Sequence, residues 1–399
     1  MTRPPRSDAR LRVVVLDHTA DLGGGELALE RLCAAIDPAV ARPRVIVFSD
    51  GPLVGRLREQ GTDVEVLMLG EGVRGRSRDA LGTWASVRSA WAAVPFVVRL
   101  ARRLRALRPD LVHTQSLKAD VLGSAAAVLA RTPVVWHVHD RIADDYLPAR
   151  VARIFRLLVR RVPRAVVANS RATAATLGRP DTVVAYPGFA PDQVRADGCA
   201  RSRPTVPTIG LVGRLSPTKG QLELVRAARR VLDVRPDVRF RIVGAPMFGA
   251  EDYAREVDGE IERLGLGGSV AVEGFTTDVA AVLDALTVVV HASPVPEPFG
   301  QVVVEAMIRG VPVIATDAGG VPEILRDGSD ELGLLVGPGD VDGLADAVLD
   351  VLDHPDRAVT RACAAYDSAL RRFPATETAR VVTGVWEGVA RGRRRGRRA

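Results

Sequence analysis

The chain has 399 residues, of which 47% are hydrophobic and 26% charged, and this composition predicts a globular protein of two or three domains. Its formal net charge is +7, but only 4% of its residues are aromatic and it carries no RNA- or DNA-binding motif, so we expect no nucleic-acid partner. The longest apolar stretch, residues 90–98, is about half of a membrane span, which predicts a chain without a transmembrane helix.

Cysteine spacing and the N-terminal sequence bear on the compartment. Cys33, Cys199 and Cys363 lie far apart and form neither a CxxC motif nor a disulfide framework, which favours a reducing compartment. The first apolar run stops at Asp17, too early for the core of a signal peptide. We therefore predict a cytoplasmic protein.

Short runs of valine, isoleucine and leucine alternate with helical patterns along the chain. Continuous apolar runs of this length are typical of buried parallel strands. They occupy residues 11–17, 44–49, 64–69, 111–115, 134–139, 165–170 and 182–187, and then 208–214, 239–244, 269–274, 287–293, 311–316 and 333–336. The alternation predicts two α/β Rossmann-like domains in series.

A polar segment rich in proline and arginine, residues 190–207, has the composition of a linker. We therefore predict an N-terminal domain over residues 1–200 and a C-terminal domain over residues 205–373. Pro374 precedes a helical pattern over residues 375–391, and the arginine-rich residues 392–399 are predicted to be a basic disordered tail. Ligands of such sheets bind beyond the carboxyl ends of the strands, so we expect a site in the cleft between the two domains.

The first strand is followed by a glycine-rich turn, DLGGGELALERL, over residues 21–32. Gly24 and Gly25 allow a close approach of the backbone to a ligand, and the helix that follows presents free amides at its N-terminus. This pattern predicts a cradle for a phosphate or a sugar; the alternative is a tight strand–helix turn.

The first strand of the second half is followed by VGRLSPTKG, residues 212–220. Arg214 and Lys219 are five residues apart on a loop constrained by proline and glycine, and both can converge on one anion such as a diphosphate. A solvated surface loop is the alternative, but the position at the end of a strand disfavours it.

Two glutamates bracket the stretch EPFGQVVVEAM, residues 297–307. We predict a helix that begins near residues 299–301, ends at Gly310 and offers free amides for phosphate oxygens. Glu305 can accept hydrogen bonds from vicinal hydroxyls, as on a ribose. A second glycine turn, Gly319 and Gly320, follows the next strand.

The stretch WHVHD places His137 and His139 at alternate positions of a strand end. Imidazole suits positioning or proton handling near neutral pH, whereas a structural role is the alternative for either histidine. Binding of a metal by the pair is disfavoured because no third ligand has suitable spacing.

The combination of Gly213-Arg214 with Lys219-Gly220, the E-x7-E spacing and the later GGVPE is similar to the pattern of retaining GT-B glycosyltransferases of family 4. The resemblance extends over nearly the whole chain, from GGGE to GDVDGLADAV. It implies two Rossmann-like domains that face each other across a cleft, with the acceptor in the N-terminal domain and a nucleotide-sugar donor in the C-terminal domain. It also implies that the helix at 375–391 crosses back onto the N-terminal domain.

The resemblance implies a role for each site residue. Arg214 and Lys219 would hold the diphosphate, Glu305 the ribose and Glu297 the donor sugar, while His139, preferred over His137, would lie near the reacting sugar. The catalytic set is then His139, Glu297, Arg214 and Lys219. The donor-binding set is Gly24, Gly25, Gly213, Arg214, Lys219, Gly244, Gly274, Phe275, Glu297, Phe299, Gly300, Gln301 and Glu305, with Gly244 and residues 272–275 at the nucleobase.

The implied reaction retains the anomeric configuration: the acceptor attacks on the face that the diphosphate leaves, and Glu297 orients the sugar instead of forming a covalent bond. The sequence DVD at 340–342 matches the Asp-x-Asp of metal-dependent glycosyltransferases, but Asp340 suits a helix N-cap better, so we expect neither a metal nor another cofactor. Residues 186–194 and 243–249 depart from the family pattern, and the latter leaves the nucleotide open between UDP and GDP.

The acceptor is expected to be a glycan, a lipid-linked molecule or a small molecule, in cell-envelope polysaccharide synthesis. The alternatives are a GT-B sugar-nucleotide epimerase, a phosphorylase or a degenerate nucleotide-sugar binding protein. Arg-rich helices at 97–109 and 147–164 can rest on an anionic lipid surface at the inner face of a membrane; a solvated helix face explains them equally well. The oligomeric state is left open.

Overall fold

The computed structural model of the chain describes residues 10–70, 85–202, 204–247 and 249–395. The chain divides into two compact units: unit 1 comprises Met1–Gly188 with Ala375–Ala399, and unit 2 comprises Phe189–Pro374. Unit 2 thus begins before the predicted linker. The reason is pairing with residues distant in sequence: Phe189 donates its amide to the Phe373 carbonyl at 3.0 Å, and Arg195 donates its amide to the Ile308 carbonyl at 3.1 Å.

Unit 1 contains a sheet of seven parallel strands in the order β3-β2-β1-β4-β5-β6-β7. The strands are β1 Val13–Asp17, β2 Arg44–Val47, β3 Asp63–Val66, β4 Leu111–Thr114, β5 Val134–Val138, β6 Ala165–Ala168 and β7 Val183–Val184. The helices are α1 Gly24–Ala35, α2 Pro52–Glu59, α3 Ala85–Leu107, α4 Leu117–Leu129, α5 Ala149–Arg161 and α6 Arg171–Leu177. Each predicted strand of this half is confirmed.

Unit 2 contains six parallel strands in the order β10-β9-β8-β11-β12-β15. These are β8 Thr208–Val212, β9 Arg239–Val243, β10 Val270–Glu273, β11 Val288–His291, β12 Val313–Thr316 and β15 Leu334–Val336, and the short pair β13 Arg326–Asp327 and β14 Asp330–Glu331 was not predicted. The helices are α7 Gln221–Val234, α8 Glu251–Arg263, α9 Val279–Asp284, α10 Gln301–Met307, α11 Val321–Leu325, α12 Val341–Asp353 and α13 Pro355–Arg372, after a 3-10 turn at Pro191–Gln193.

Continuous apolar strands are explained by the burial of both sheet faces. In β1, Val14 and Leu16 belong to one hydrophobic cluster of unit 1, whereas Val13 and Val15 belong to the other. Successive side chains of a strand point to opposite faces, so both faces of β1 must be apolar. In each sheet the strand order reverses beside the first strand of the unit, which is where open α/β sheets bind their ligands.

The last helix, α14 Ala375–Arg395, belongs to unit 1. Trp386 is fully buried in a cluster with strand residues of the first sheet. The helix continues past the predicted start of the disordered tail at residue 392, because Arg393 donates to the carbonyls of Pro109 at 3.0 Å and Asp110 at 2.8 Å. Residues 396–399 of that tail lie outside the described residues.

The prediction that the cysteines form no disulfide is wrong. Cys199 and Cys363 are bonded, with their Cα atoms 5.1 Å apart, although 164 residues separate them in sequence. The pairing arises because the segment that opens unit 2 packs against α13, a contact that spacing does not reveal. Cys33 is free.

None of the helices in the described part of the chain combines the length and the apolar character needed to cross a bilayer.

Candidate functional site

The loops that follow the strands of unit 2 are hydrogen-bonded to one another at the carboxyl edge of the sheet. Gly213 donates its amide to the Val243 carbonyl at 2.9 Å, and Gly244 donates its amide to the Glu273 carbonyl at 3.0 Å. The loops after β8, β9 and β10 are thereby joined side by side. Gly213, Gly244 and Gly274, which sequence separates widely, therefore lie in adjoining loops.

Two glycines permit contacts that any other residue would prevent. Gly220 has φ +81°, and a Cβ there would lie 1.9 Å from the Ala292 carbonyl oxygen. Gly319 has φ +67°, and a Cβ there would lie 2.0 Å from the Glu297 carbonyl oxygen. Both the positive φ and the missing Cβ are required, so these glycines bring the loops after β8, β11 and β12 into contact.

The Glu297 carboxylate accepts a hydrogen bond at each of its two oxygens. Lys219 Nζ donates to Glu297 Oε1, and His291 Nε2 donates to Glu297 Oε2 at 2.7 Å. Burial by itself would raise the pKa of Glu297, but Lys219 and His291 outweigh it and hold the pKa well below its usual range. Glu297 is therefore a half-buried carboxylate that stays ionised at neutral pH.

Lys219 and Glu297 were predicted from the sequence as site residues, but their pairing was not, and His291 was not predicted at all. His291 ends the buried strand β11, whose other residues are all valine. A single polar residue at the end of a buried apolar strand could have identified His291, since buried polar groups need a hydrogen-bond partner.

The helix α10, Gln301–Met307, begins where predicted, with Gly300 as its N-cap, but it ends three residues before the predicted Gly310. Gln301 and Glu305 are both half-buried and, being four residues apart, lie on the same helix face. Phe299 is 2% exposed and its ring packs against Phe373 with a centroid distance of 5.8 Å, so only its backbone is placed to meet a ligand.

Three further predictions concern the rim of unit 2. Phe275 is 62% exposed beyond the end of β10, a position that suits stacking on a planar ring. Arg214 is half-buried, and its carbonyl accepts from Gln221 Nε2 at 3.0 Å, which ties the loop to α7. Asp340 is the N-cap of α12, as predicted: its Oδ1 accepts from the Gly343 amide at 2.8 Å.

In unit 1 the two predicted histidines occupy different environments. His139 is half-buried, and its Nε2 lies 2.5 Å from Gln115 Oε1. His137 is 2% exposed, and neither of its ring nitrogens has a hydrogen-bond partner among the described residues. The two rings stack with centroids 4.2 Å apart, so both side chains point the same way, as the alternation predicted.

The histidine stack continues inwards to the last helix. His113 lies 5.3 Å from His137 between ring centroids, and its Nδ1 accepts from Trp386 Nε1 at 3.1 Å. Burial lowers the pKa of all three histidines: His113 to about 3, His137 well below its usual value, and His139 against the opposing effect of Asp140 and Asp17. His139 is therefore a neutral imidazole at physiological pH.

The glycine-rich turn of unit 1 presents carboxylates at the start of α1. Asp17, His18 and Glu26 place their potential ligand atoms within 4.8 Å of one another. Burial, with Asp17 as a second cause, raises the pKa of Glu26 to about 8. Two carboxyl groups clustered at this turn disfavour a bound phosphate, so of the two predicted cradles the one for a sugar hydroxyl is favoured.

Two family models match the chain. The model described as Glycosyltransferase Family 4 matches residues 52–193, and the model described as Glycosyl transferases group 1 matches residues 200–367. The second range contains Arg214, Lys219, His291, Glu297 and Glu305.

Similar proteins span most of the chain. The 2-deoxystreptamine glucosyltransferase of Streptomyces kanamyceticus is 30% identical over 312 residues, which is 70% of this chain and 77% of that protein. The lipopolysaccharide core biosynthesis mannosyltransferase LpsB of Rhizobium meliloti is 29% identical over 244 residues, 59% of this chain and 68% of that protein. A crystal structure of Anabaena HepE in complex with UDP and glucose is 30% identical, with a TM-score of 0.79, and the match covers 94% of this chain and 99% of that one.

Proposed function

Because the chain belongs to glycosyltransferase family 4 and is a GT-B glycosyltransferase, we propose that it transfers a sugar from a nucleotide-sugar donor, bound in unit 2, to an acceptor. The observation that carries the proposal is the half-buried, ionised Glu297 between Lys219 and His291, beside the N-terminus of α10. Glu297 is thus an anionic group that suits a sugar, and it lies next to a cationic group that suits a diphosphate. A glycoside hydrolase does not bind a diphosphate and would not need such a cationic group. The donor we propose is a UDP-sugar before a GDP-sugar, supported by the HepE complex with UDP and glucose.

Different residues of unit 2 bind different parts of the nucleotide sugar in this proposal. Arg214 and Lys219 face the charge that builds on the leaving diphosphate, with the amides at the N-terminus of α10 as further donors. Glu305, on the same helix face as Gln301, accepts from the ribose hydroxyls. Phe275 and the loop at Gly244 contact the nucleobase.

The reaction we propose retains the anomeric configuration. The bond between the anomeric carbon and the diphosphate oxygen breaks, and its electron pair stays on the phosphate. The acceptor oxygen bonds to the same face of that carbon, and its proton passes to the leaving phosphate oxygen. Glu297 stabilises the oxocarbenium-like sugar as an anion; both of its oxygens accept hydrogen bonds, which suits orientation better than covalent attack. His139, neutral and held near Gln115, positions a substrate hydroxyl.

The positive charge of Arg214 and Lys219 can replace that of a metal ion, and Asp340 serves as a helix N-cap. We propose that no metal is needed. Full activity after EDTA treatment is the expected result, and loss of activity that Mg²⁺ or Mn²⁺ restores would contradict it.

The donor site is tested by thermal shift with UDP, GDP and ADP and by product analysis. Lys219→Ala is expected to abolish the UDP-induced shift and to lower turnover 100- to 1,000-fold, since it removes a charge from the leaving group. Arg229→Ala, which removes a half-buried charge paired with Asp233 on α7, is the matched control and should leave both unchanged. Equal turnover in Lys219→Ala and wild type would remove Lys219 from the mechanism.

Product analysis also separates the alternatives. The anomeric proton coupling of the product should show the configuration of the donor, and inversion would overturn the proposed route. An epimerase would convert the donor sugar without an acceptor, whereas a degenerate binding protein would bind UDP without turnover.

One face of α5 supports contact with a membrane-borne acceptor. Ile154 and Leu157 are 58% and 51% exposed, and Arg150, Arg153 and Arg161 are exposed around them. Arg156, by contrast, turns to Asp144 at 3.1 Å and does not share this face. Apolar side chains ringed by arginines suit an anionic lipid surface, so we propose a lipid-linked acceptor at the inner face of the membrane, in cell-envelope polysaccharide synthesis as the LpsB name suggests for that relative.

Vesicle co-sedimentation tests this surface. Wild type should sediment with phosphatidylglycerol vesicles at low salt, and the pair Ile154→Ser and Leu157→Ser should weaken binding at least 10-fold. Val128→Ser, an exposed apolar position on α4, is the control. Absence of wild-type binding to anionic vesicles at low salt would remove the membrane proposal and leave the transferase proposal intact.

A further inference from the structure

His291 is a buried histidine with one hydrogen-bonded nitrogen. It is 5% exposed, and its Nε2 lies 2.7 Å from Glu297 Oε2. Its Nδ1 has no hydrogen-bond partner among the described residues. An N–H at Nδ1 would be a buried donor without an acceptor, which is costly. The hydrogen therefore sits on Nε2, and His291 is a dedicated donor to Glu297.

The two partners of Glu297 differ in rigidity. The Lys219 side chain is flexible and 27% exposed. Its ammonium group has three N–H donors, and we propose that some of them bind the diphosphate. His291 belongs to β11 and is held further by Thr316, whose Oγ1 donates to the His291 carbonyl at 3.2 Å. The hydrogen bond from Lys219 to Glu297 can therefore change when the nucleotide sugar binds, whereas the hydrogen bond from His291 is held in place.

The backbone of Glu297 is anchored independently of both partners. The Gly320 amide donates to the Glu297 carbonyl at 2.8 Å, and Gly319 lies against the same carbonyl. The backbone position is therefore set by the glycine turn, and the direction of the carboxylate is set by the side-chain donors.

We propose that His291 is a positioning residue for Glu297: it fixes the direction of the carboxylate, so that Lys219 can turn to the diphosphate without releasing the sugar-facing group. The proposal rests on the proposed function insofar as Glu297 acts on the donor sugar. It predicts a loss in kcat with little change in donor binding, because the buried His291 side chain acts through Glu297.

Three substitutions of His291 test the proposal. Leu is apolar and of similar volume. The amide nitrogen of Gln reaches the position of Nε2, whereas that of Asn reaches only the position of Nδ1. With the nucleotide sugar that the wild type consumes fastest from a panel of UDP-, GDP- and ADP-sugars, His291→Leu and His291→Asn should lower kcat about 10- to 100-fold. The donor KM and the UDP-induced thermal shift should stay within twofold, and His291→Gln should recover most of kcat.

The pH profile supplies a readout that a purely structural role would not move. His291 and Lys219 together depress the pKa of Glu297, so removal of the His291 donor raises that pKa. The decline of kcat on the acid side should therefore begin at a higher pH in His291→Leu than in the wild type, and His291→Gln should show a smaller change. A wild-type kcat and pH profile in His291→Leu overturns the proposal, as does an equal loss in the Leu, Asn and Gln variants.

A double-mutant cycle with Glu297→Gln separates this inference from the proposed function. If Glu297→Gln keeps wild-type kcat, the role of Glu297 on the sugar fails. If Glu297→Gln is impaired but the effect of His291→Leu is fully additive to it, the positioning role fails. The proposal requires that His291→Leu adds little to the loss already caused by Glu297→Gln.

Discussion

Acid should destabilise unit 1 through His113. This side chain is fully buried, and its Nδ1 accepts from Trp386 at 3.1 Å. Burial lowers its pKa from the usual 6.5 to about 3, so below pH 6.5 the unfolded chain binds a proton that the folded chain refuses. Stability is therefore lost as the pH falls from 6.5 towards 3. Between pH 7.5 and 4.5 the loss covers two pH units at about 1.4 kcal/mol each, or about 3 kcal/mol.

His113→Asn isolates this contribution. Asn can accept the Trp386 hydrogen bond through its side-chain oxygen but does not titrate. Other groups act in both proteins: His137 adds to the loss on acidification, and Glu26, with its pKa raised to about 8, opposes it. The difference between wild type and variant therefore reports His113, together with the effect of His113 on the pKa of His137.

The assay is urea unfolding followed by tryptophan fluorescence. All four tryptophans belong to unit 1 by their position in the chain, so the signal reports that unit. The free energy of unfolding should fall by about 3 kcal/mol more in wild type than in His113→Asn between pH 7.5 and 4.5. His354→Asn, at an exposed histidine of unit 2, is the control and should behave as wild type. Equal acid losses in wild type and His113→Asn would refute the reasoning.

Further outcomes follow from unit 2. Gly220→Ala should destabilise that unit by about 2 kcal/mol or more and abolish the UDP-induced thermal shift, because the new Cβ would meet the Ala292 carbonyl at a positive φ. Gly259→Ala, inside α8 with open space around it, is the control and should stabilise unit 2 by about 0.5–1 kcal/mol. Denaturation monitored by circular dichroism measures both variants, and a similar effect of the two alanines would contradict the close contact between Gly220 and the Ala292 carbonyl. Thiol titration of the denatured chain should find the single free cysteine, Cys33, before reduction and all three afterwards; three thiols before reduction would disprove the Cys199–Cys363 bond.

Local patterns located the elements of the fold, and the site only in part. Runs such as the one at 134–139 became strands because an apolar segment with both faces buried has few alternatives. The start of α10 at Gln301 and the cap at Asp340 followed from residues adjacent in sequence. The pair β13 and β14 was missed because two-residue strands leave no periodic pattern to detect.

Pairings between distant residues were missed for a different reason. Lys219 and Glu297 are 78 residues apart, and the Cys199–Cys363 bond spans more than twice that separation. The sequence around one member of such a pair carries no information about which distant residue it contacts, so a local pattern cannot reveal the pairing. The start of unit 2 at Phe189 was missed for the same reason, since Phe189 and Arg195 are hydrogen-bonded to Phe373 and Ile308, more than 100 residues further along the chain.

The amino-acid sequence by itself determined the two Rossmann-like sheets, the loops that carry the polar groups, and the family to which the chain belongs, because each depends on patterns within short segments. Only the tertiary structure decided which groups meet: His291 with Glu297, His139 with Gln115, and Trp386 with His113. Those contacts decide the charge and direction of the reactive side chains, since both depend on burial and on neighbours that the fold brings from elsewhere in the chain.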